Sequence, residues 1–153
     1  MTRAPAARTL WLRWRRRIAL RNHPRPGLFL PCGRRGRAFG AVLGKTTVLS
    51  KDRAGFIVNM LLIPYLNGAV RMLDEGFATR EDIDAAVHLG LGHPLGPLQL
   101  LDLVGLDTAL YVTGVLYEEF KEPLFAPPPL LKRMVTAGHL GRKSGKGFYE
   151  YES

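Results

Sequence analysis

The chain has 153 residues, a single cysteine and a formal net charge of +9. One cysteine excludes a disulfide framework and a cysteine-based metal site, and the length suits one domain with a modest core. No apolar run approaches the roughly 20 residues that a membrane-spanning helix needs, and we expect a cytoplasmic protein.

The charge is unevenly distributed. Residues 1–51 contain 13 Lys and Arg and no Asp or Glu, whereas residues 52–153 contain 9 Lys and Arg against 13 Asp and Glu. The basic leader, residues 1–36, leaves three interpretations open: an arm that contacts nucleic acid or an anionic membrane, a transit peptide, or a disordered or frame-shifted segment. We favour the last, because the composition changes abruptly near Arg37.

The next segment, residues 37–52, predicts one helix end and one strand. Residues 38–43 have the pattern of a helix end, and Gly44 fits its C-cap. Residues 46–50 are rich in β-branched and apolar residues, which indicates a short strand.

The chain that follows predicts helices. The first covers residues 54–75, and Pro64 predicts a kink because proline lacks the amide donor. Thr79 is typical of an N-cap, and Asp82 three residues later resembles a capping box for a second helix, which stops at Gly90.

Three shorter helices complete this pattern. Pro97 at a first helical position starts the third helix, which ends at Val104. Asp107 is the predicted N-cap of the fourth, which continues to Phe120, and a fifth covers residues 130–137.

Three glycine-containing phrases are similar to nucleotide-binding loops but have the wrong spacing. Residues 40–46 (GAVLGKT) and 141–147 (GRKSGKG) have three residues between glycines where a P-loop has four. Residues 90–96 (GLGHPLG) exceed a dinucleotide-binding fingerprint by one residue and lie between predicted helices. We interpret all three as structural turns.

The histidines lack the spacing of metal ligands, and no carboxylate has the spacing of a catalytic dyad. We interpret the four histidines as structural and predict no metal site: they are His23, His88, His93 and His139.

Three phrases carry a family resemblance through their order in the chain. They are residues 54–59 (AGFIVN), residues 92–97 (GHPLGP) running into Leu101 and Asp102, and residues 143–149 (KSGKGFY). Together they resemble the C-terminal domain of the 3-hydroxyacyl-CoA dehydrogenases, and most of all the 3-hydroxybutyryl-CoA type. The resemblance begins near Arg37 and continues to Tyr151.

The resemblance implies a fold and a domain organisation. Residues 53–153 are expected to form an all-α, multi-helix domain like the C-terminal domain of 6-phosphogluconate dehydrogenase. Residues 37–52 would be the last helix and strand of a nucleotide-binding domain, and residues 1–36 an irregular leader.

Asn59 is the one candidate site residue. It interrupts an apolar run, and a buried amide without partners costs about 1–3 kcal/mol, so either the neighbouring backbone satisfies it or it belongs to a site. The family has an asparagine at the matching position, close to the catalytic histidine and the substrate's 3-oxygen, which implies that Asn59 orients the substrate. Two neighbours depart from the family pattern, Ala54 where proline is usual and Met60 where arginine is usual.

The implied reaction is the reversible oxidation of an (S)-3-hydroxyacyl-CoA by NAD. The family's catalytic His–Glu pair and its NAD site belong to a preceding Rossmann domain that this sequence does not match. We therefore expect the chain alone to be inactive and to bind no cofactor, with acyl-CoA binding only beside such a domain. The alternative is a non-catalytic helical module that dimerises or binds a partner.

We also expect a homodimer through the helical domain. The helix over residues 54–75 is apolar on more than one face, and the fourth helix adds Tyr111, Leu116 and Phe120. A domain of this size cannot bury all of this surface internally, and the family resemblance implies a two-fold dimer.

Overall fold

The computed structural model describes residues 17–22, 32–44, 46–51 and 53–152. The chain divides into two compact units, residues 1–56 and residues 57–153.

The first unit contains a parallel pair of strands. Strand β1 (Arg17–Asn22) pairs with strand β2 (Thr46–Lys51), and helix α1 (Cys32–Val42) lies between them in the sequence. Parallel strands need a crossover connection, and α1 lies in that connection. The helix and strand predicted for residues 37–52 are present, while their origin in a nucleotide-binding domain stays a prediction.

Strand β1 lies within residues 1–36, for which the sequence predicts an irregular leader. The structure differs from that prediction over Arg17–Asn22 and over residues 32–36, which begin α1. The backbone of β1 finds its hydrogen-bond partners in β2, about 30 residues away in the sequence, and local composition does not reveal such pairing. The rest of the leader, including His23, lies outside the described residues.

The second unit confirms the predicted multi-helix domain. Its helices are α2 (Val58–Asp74), α3 (Arg80–Leu91), α4 (Pro97–Val104), α5 (Leu106–Phe120) and α6 (Pro129–Thr136). Short 3-10 turns lie at Pro123–Phe125 and Arg142–Ser144. The short helix α4 packs against α2, α3 and α5 and is therefore central to the unit.

Local signals place several helix ends. The hydroxyl of Thr79 accepts a hydrogen bond from the Asp82 amide at 3.2 Å and donates to the Asp82 carboxylate at 2.6 Å, which confirms the predicted cap. Pro97 is the first residue of α4 and Val104 its last, as the sequence predicts. Pro64 lies inside α2, and the helix continues on both sides of it.

The predicted starts of two helices are wrong by a few residues. Helix α2 begins at Val58 and not at residue 54, because Gly55 and Phe56 have φ values of 79° and 48°, and positive φ is incompatible with a right-handed helix. Helix α5 begins at Leu106, and Asp107 lies in its first turn without capping it.

The end of α3 also differs from the prediction. The helix passes Gly90 and finishes at Leu91, and Gly92 closes it in the left-handed conformation at a φ of 64°. Glycine adopts that conformation at little cost, so the later of two closely spaced glycines ends the helix.

The core of the second unit is formed by residues from α2 to α6 and by Phe148. Its buried members are Leu66, Ala69, Val70, Ile83, Leu98, Leu101, Leu106, Ala109, Leu131 and Phe148. Burying one leucine side chain contributes about 1.5–3 kcal/mol. Leu116 is also buried, so its expected place on an outer apolar surface is wrong, and the half-buried Phe120 packs on Phe125 with ring centroids 5.4 Å apart.

Within the described ranges, no single helix is long and apolar enough to cross a membrane. Taken together, helices α4 and α5 are long and apolar enough by length and composition, but a bend of 98° separates them.

Candidate functional site

Asn59, the predicted site residue, lies at the N-terminal end of α2. It is the second residue of the helix, and its side chain is half-buried. Val58 beside it is 67% exposed and Leu61 is 71% exposed, whereas Leu66 and Val70 further along the helix belong to the core. The amide is therefore accessible at the surface of the second unit, and the apolar run around it is not a buried one.

A second group of polar residues is formed around two buried aspartates, which the sequence did not identify as functional. Asp84 on α3 is 3% exposed. Its carboxylate accepts hydrogen bonds from the amides of Leu98 and Gln99, at 2.8 and 3.0 Å, and from the hydroxyl of Tyr149 at 2.9 Å. Leu98 and Gln99 are in the first turn of α4, so Asp84 caps a helix other than its own.

Asp102 on α4 accepts hydrogen bonds in the same way, from residues near the C-terminal end of the sequence. It is 1% exposed, and its carboxylate accepts hydrogen bonds from the amides of Phe148 and Tyr149 and from the hydroxyl of Tyr151, each at 2.9 Å. We call residues 145–151 the clasp, because these bonds fasten them to α4. Hydrogen bonds to a carboxylate are about twice as strong as neutral ones.

Two glycines, one in the phrase at residues 92–97 and one in the phrase at residues 143–149, leave room for these carboxylates. A Cβ atom at Gly96 would lie 2.2 Å from Cβ of Asp84, and one at Gly147 would lie 2.0 Å from Oδ1 of Asp102. Any side chain at either position would displace the carboxylate. The phrases at residues 92–97 and 143–149 therefore build the framework of the domain, which agrees with their interpretation as turns.

The two tyrosines of the clasp are held in their protonated, donating form. Burial raises the pKa of Tyr151 to about 12, and its hydrogen bond to Asp102 acts in the same direction. Burial and the bond to Asp84 likewise raise the pKa of Tyr149. Both hydroxyls therefore donate to the aspartates at neutral pH.

The histidines of the second unit have structural contacts. Nδ1 of His88 lies 2.6 Å from the carbonyl oxygen of His93, so that nitrogen carries the proton, and Nδ1 of His93 lies 3.4 Å from the hydroxyl of Tyr65. These contacts connect the loop before α4 to α2 and α3. In the described part of the chain, no three His, Cys, Asp or Glu side chains are grouped as a metal site would require.

A surface cavity of about 330 Å³ lies beside Asp84. Its lining includes Glu81, His88, Gln99 and Tyr149. Asn59 does not line it, so the predicted site residue and this cavity are separate features of the domain.

In the described part of the chain, the glycine pairs do not form a dinucleotide-binding loop. In the sequence, glycines at G-x-G spacing are Gly90 with Gly92 and Gly145 with Gly147. Gly92 closes a helix and Gly145 closes a 3-10 turn, whereas a dinucleotide fingerprint follows a strand and opens a helix.

Comparison with known proteins places the helical domain in a family. Residues 55–151 match the family model for the 3-hydroxyacyl-CoA dehydrogenase, C-terminal domain. The chain belongs to this family, and its second unit is the family's C-terminal helical domain.

Individual relatives agree with that assignment. The 3-hydroxybutyryl-CoA dehydrogenase of Mycobacterium tuberculosis (strain H37Rv) is 62% identical over 110 residues, which are 72% of this chain and 38% of the relative. The crystal structure of M. tuberculosis FadB2 superposes with a TM-score of 0.78 at 51% identity, covering 89% of this chain and 47% of that one. The (S)-3-hydroxybutyryl-CoA dehydrogenase PaaH1 of Ralstonia eutropha gives a TM-score of 0.76 at 46% identity, covering 78% and 42%. The chain thus spans less than half the length of each of these proteins.

Proposed function

We propose that the chain supplies the helical substrate-side and dimerisation half of an NAD-dependent (S)-3-hydroxyacyl-CoA dehydrogenase. The reaction would interconvert 3-hydroxybutyryl-CoA and acetoacetyl-CoA. The observation that carries the proposal is the family match over residues 55–151, together with 62% identity to a protein described as a 3-hydroxybutyryl-CoA dehydrogenase.

Asn59 is the residue of this half that would act on the substrate. Its amide is half-buried at the start of α2, so it is both held by the helix and open to a bound molecule. An amide donor aimed at the substrate's 3-oxygen would fix its orientation for hydride transfer, and loss of one such donor typically costs about 100-fold or more in rate.

A chimera tests this function. The M. tuberculosis relative would keep its own N-terminal part and receive residues 57–153 of this chain in place of the matching segment. We expect NADH oxidation that depends on acetoacetyl-CoA in the chimera and none with the present chain alone. In the chimera, Asn59→Ala should lower kcat by about 100-fold.

A second amide provides the matched control. Gln99 is half-buried on α4 and lies in the wall of the separate cavity, so Gln99→Ala should leave the rate of the chimera unchanged. A folded chimera without activity would refute the proposal. It would favour the alternative, a non-catalytic helical module that binds a partner.

A homodimer through the helical domain is part of the proposal. Tyr111 on α5 is 73% exposed, and Val115 one turn later is also exposed. Between them, a Cβ atom at Gly114 would have nothing within 4 Å. A helix with an exposed apolar stripe and a glycine within it allows a second helix to approach closely, which supports an interface on α5.

A further inference from the structure

The surface cavity beside Asp84 is built by parts of the helical domain that are distant in sequence. One face of α3, the loop before α4, the first turn of α4 and the clasp all contribute to its lining. Its volume of about 330 Å³ is near the lower end of the range for small-molecule sites. Part of the lining is apolar and is formed by Ala85, Pro94 and Leu95. The proposed substrate residue Asn59 does not line it.

The polar part of the lining is rich in hydrogen-bond acceptors. Glu81 and His88 lie two turns apart on the same face of α3. Nδ1 of His88 donates to the carbonyl oxygen of His93 at 2.6 Å, so Nε2 of the neutral ring is an acceptor. One oxygen of Glu81 accepts from Nε of Arg80 at 2.6 Å, and a carboxylate has further lone pairs. Gln99, half-buried on α4, adds its amide oxygen.

The charged groups around the cavity leave one negative charge in excess. The carboxylates of Asp84 and Glu81 line it, and the guanidinium of Arg80 is the positive group bonded to Glu81. The bond to Arg80 also holds the pKa of the Glu81 carboxyl below its usual range, so this group is ionised at neutral pH. Because Asp84 is buried, its charge is weakly screened. The cavity therefore favours a cation over a neutral molecule or an anion.

We propose that this cavity binds a small organic cation with a guanidinium head and a short apolar stem. A planar guanidinium has five N–H donors in a fixed fork, so one head group reaches acceptors on both α3 and α4. The apolar part of the lining would contact the stem. The site is separate from Asn59, so it goes beyond the proposed dehydrogenase function and does not depend on it.

Calorimetric titration of the full chain with two probes tests the site. The probes are n-butylguanidinium and n-butylurea, which have the same stem and a planar head of the same size but differ in charge. We expect n-butylguanidinium to bind about tenfold more tightly, because charge-assisted hydrogen bonds are stronger than neutral ones. Equal affinity for the two probes, or no binding of n-butylguanidinium, would overturn the proposal.

Two changes of charge in the lining have opposite expected effects. Glu81→Gln removes a negative charge and should weaken the binding of n-butylguanidinium about tenfold, whereas Gln99→Glu adds one and should strengthen it by a similar factor. Neither change should alter the affinity for n-butylurea as strongly. Glu119→Gln, at an exposed position on α5 outside the cavity, is the matched control and should leave the binding of both probes unchanged. Equal weakening by Glu119→Gln and Glu81→Gln would show attraction to the chain's overall charge and would refute the site.

Discussion

At the scale of single residues, two buried carboxylates explain why glycine occurs at one position in each of the phrases at residues 92–97 and 143–149. Asp84 and Asp102 each accept three hydrogen bonds from groups distant in the sequence. Such a buried charge is stable only when its oxygens are satisfied. The glycines beside them are needed for space, whereas Asn59, in the phrase at residues 54–59, makes no hydrogen bond to either carboxylate.

Replacing each of two glycines by alanine should distinguish a glycine that is needed for space from one that is not. Gly96→Ala would place a Cβ atom 2.2 Å from Asp84 and should lower the free energy of unfolding by about 3 kcal/mol. Gly90→Ala, within α3 at the other end of the same loop, meets nothing within 4 Å at an ordinary φ. It should raise the stability by about 0.5–1 kcal/mol, since alanine restricts the unfolded chain. Urea denaturation of both variants measures the difference, and similar effects of the two would contradict the crowding at Gly96.

At the scale of elements, the clasp connects the end of the chain to helices far from it in sequence. The clasp forms isolated β-bridges rather than a full strand or helix, pairing Lys146 with Gly141 and with Glu150. Arg80 on α3 adds a 2.6 Å hydrogen bond to the carbonyl of Phe148. The attachment of the clasp to the helices therefore depends on side-chain hydrogen bonds more than on backbone β-pairing.

The clasp should make the domain sensitive to alkaline pH. The folded pKa of Tyr151 is raised to about 12, above its ordinary value of about 10. The folded state then binds the phenolic proton more tightly than the unfolded state, so this contribution to stability is complete below pH 10 and is lost as the pH rises towards 12. Tyr149 acts in the same direction.

Urea midpoints measured across this pH range check the effect. The midpoint should fall between about pH 10 and pH 12, and Tyr151→Phe should make the fall shallower, because phenylalanine has no proton to lose. Tyr117→Phe is the control, since the hydroxyl of Tyr117 makes no bond to either aspartate and Tyr117 lies outside the proposed dimer stripe. An identical slope in both variants would show that the Tyr151 hydroxyl does not couple to folding.

The helices were predictable from sequence because their signals are local. The Thr79 cap and Pro97 act within one turn of the helix end, and both ends agree with the structure. The bonds to Asp84 and Asp102 span 14 to 65 positions of sequence, and no local pattern reports a partner that distant. The local sign available in the sequence is Asp102 between Leu101 and Leu103, since a charged residue inside an apolar helix indicates a carboxylate with distant partners. Strand β1 was missed for a similar reason, since its partner lies beyond a helix.

At the scale of the whole molecule, the exposed apolar surface lies at several places of the helical domain. The stripe of Tyr111 and Val115 on α5 is proposed to bind a second copy of the chain.

Light scattering at micromolar concentration tests the dimer. We expect the parent chain to have twice its monomer mass and Tyr111→Asp to reduce it to the monomer, because a charge in an apolar helix contact is desolvated without a partner. Leu89→Asp, at another exposed apolar position, should keep the dimer. A parent chain that remains a monomer on dilution and with added salt would refute the interface.

The attachment of the clasp to Asp102 also has a consequence for synthesis on the ribosome. Asp102 leaves the exit tunnel well before Phe148, Tyr149 and Tyr151, which supply all three of its hydrogen bonds. Until those residues emerge, closing α4 into the core would bury a carboxylate without partners, which is strongly unfavourable. We therefore expect the nascent helices to complete their packing late, and translation that stops short of Tyr151 to leave a chain that is open to proteolysis.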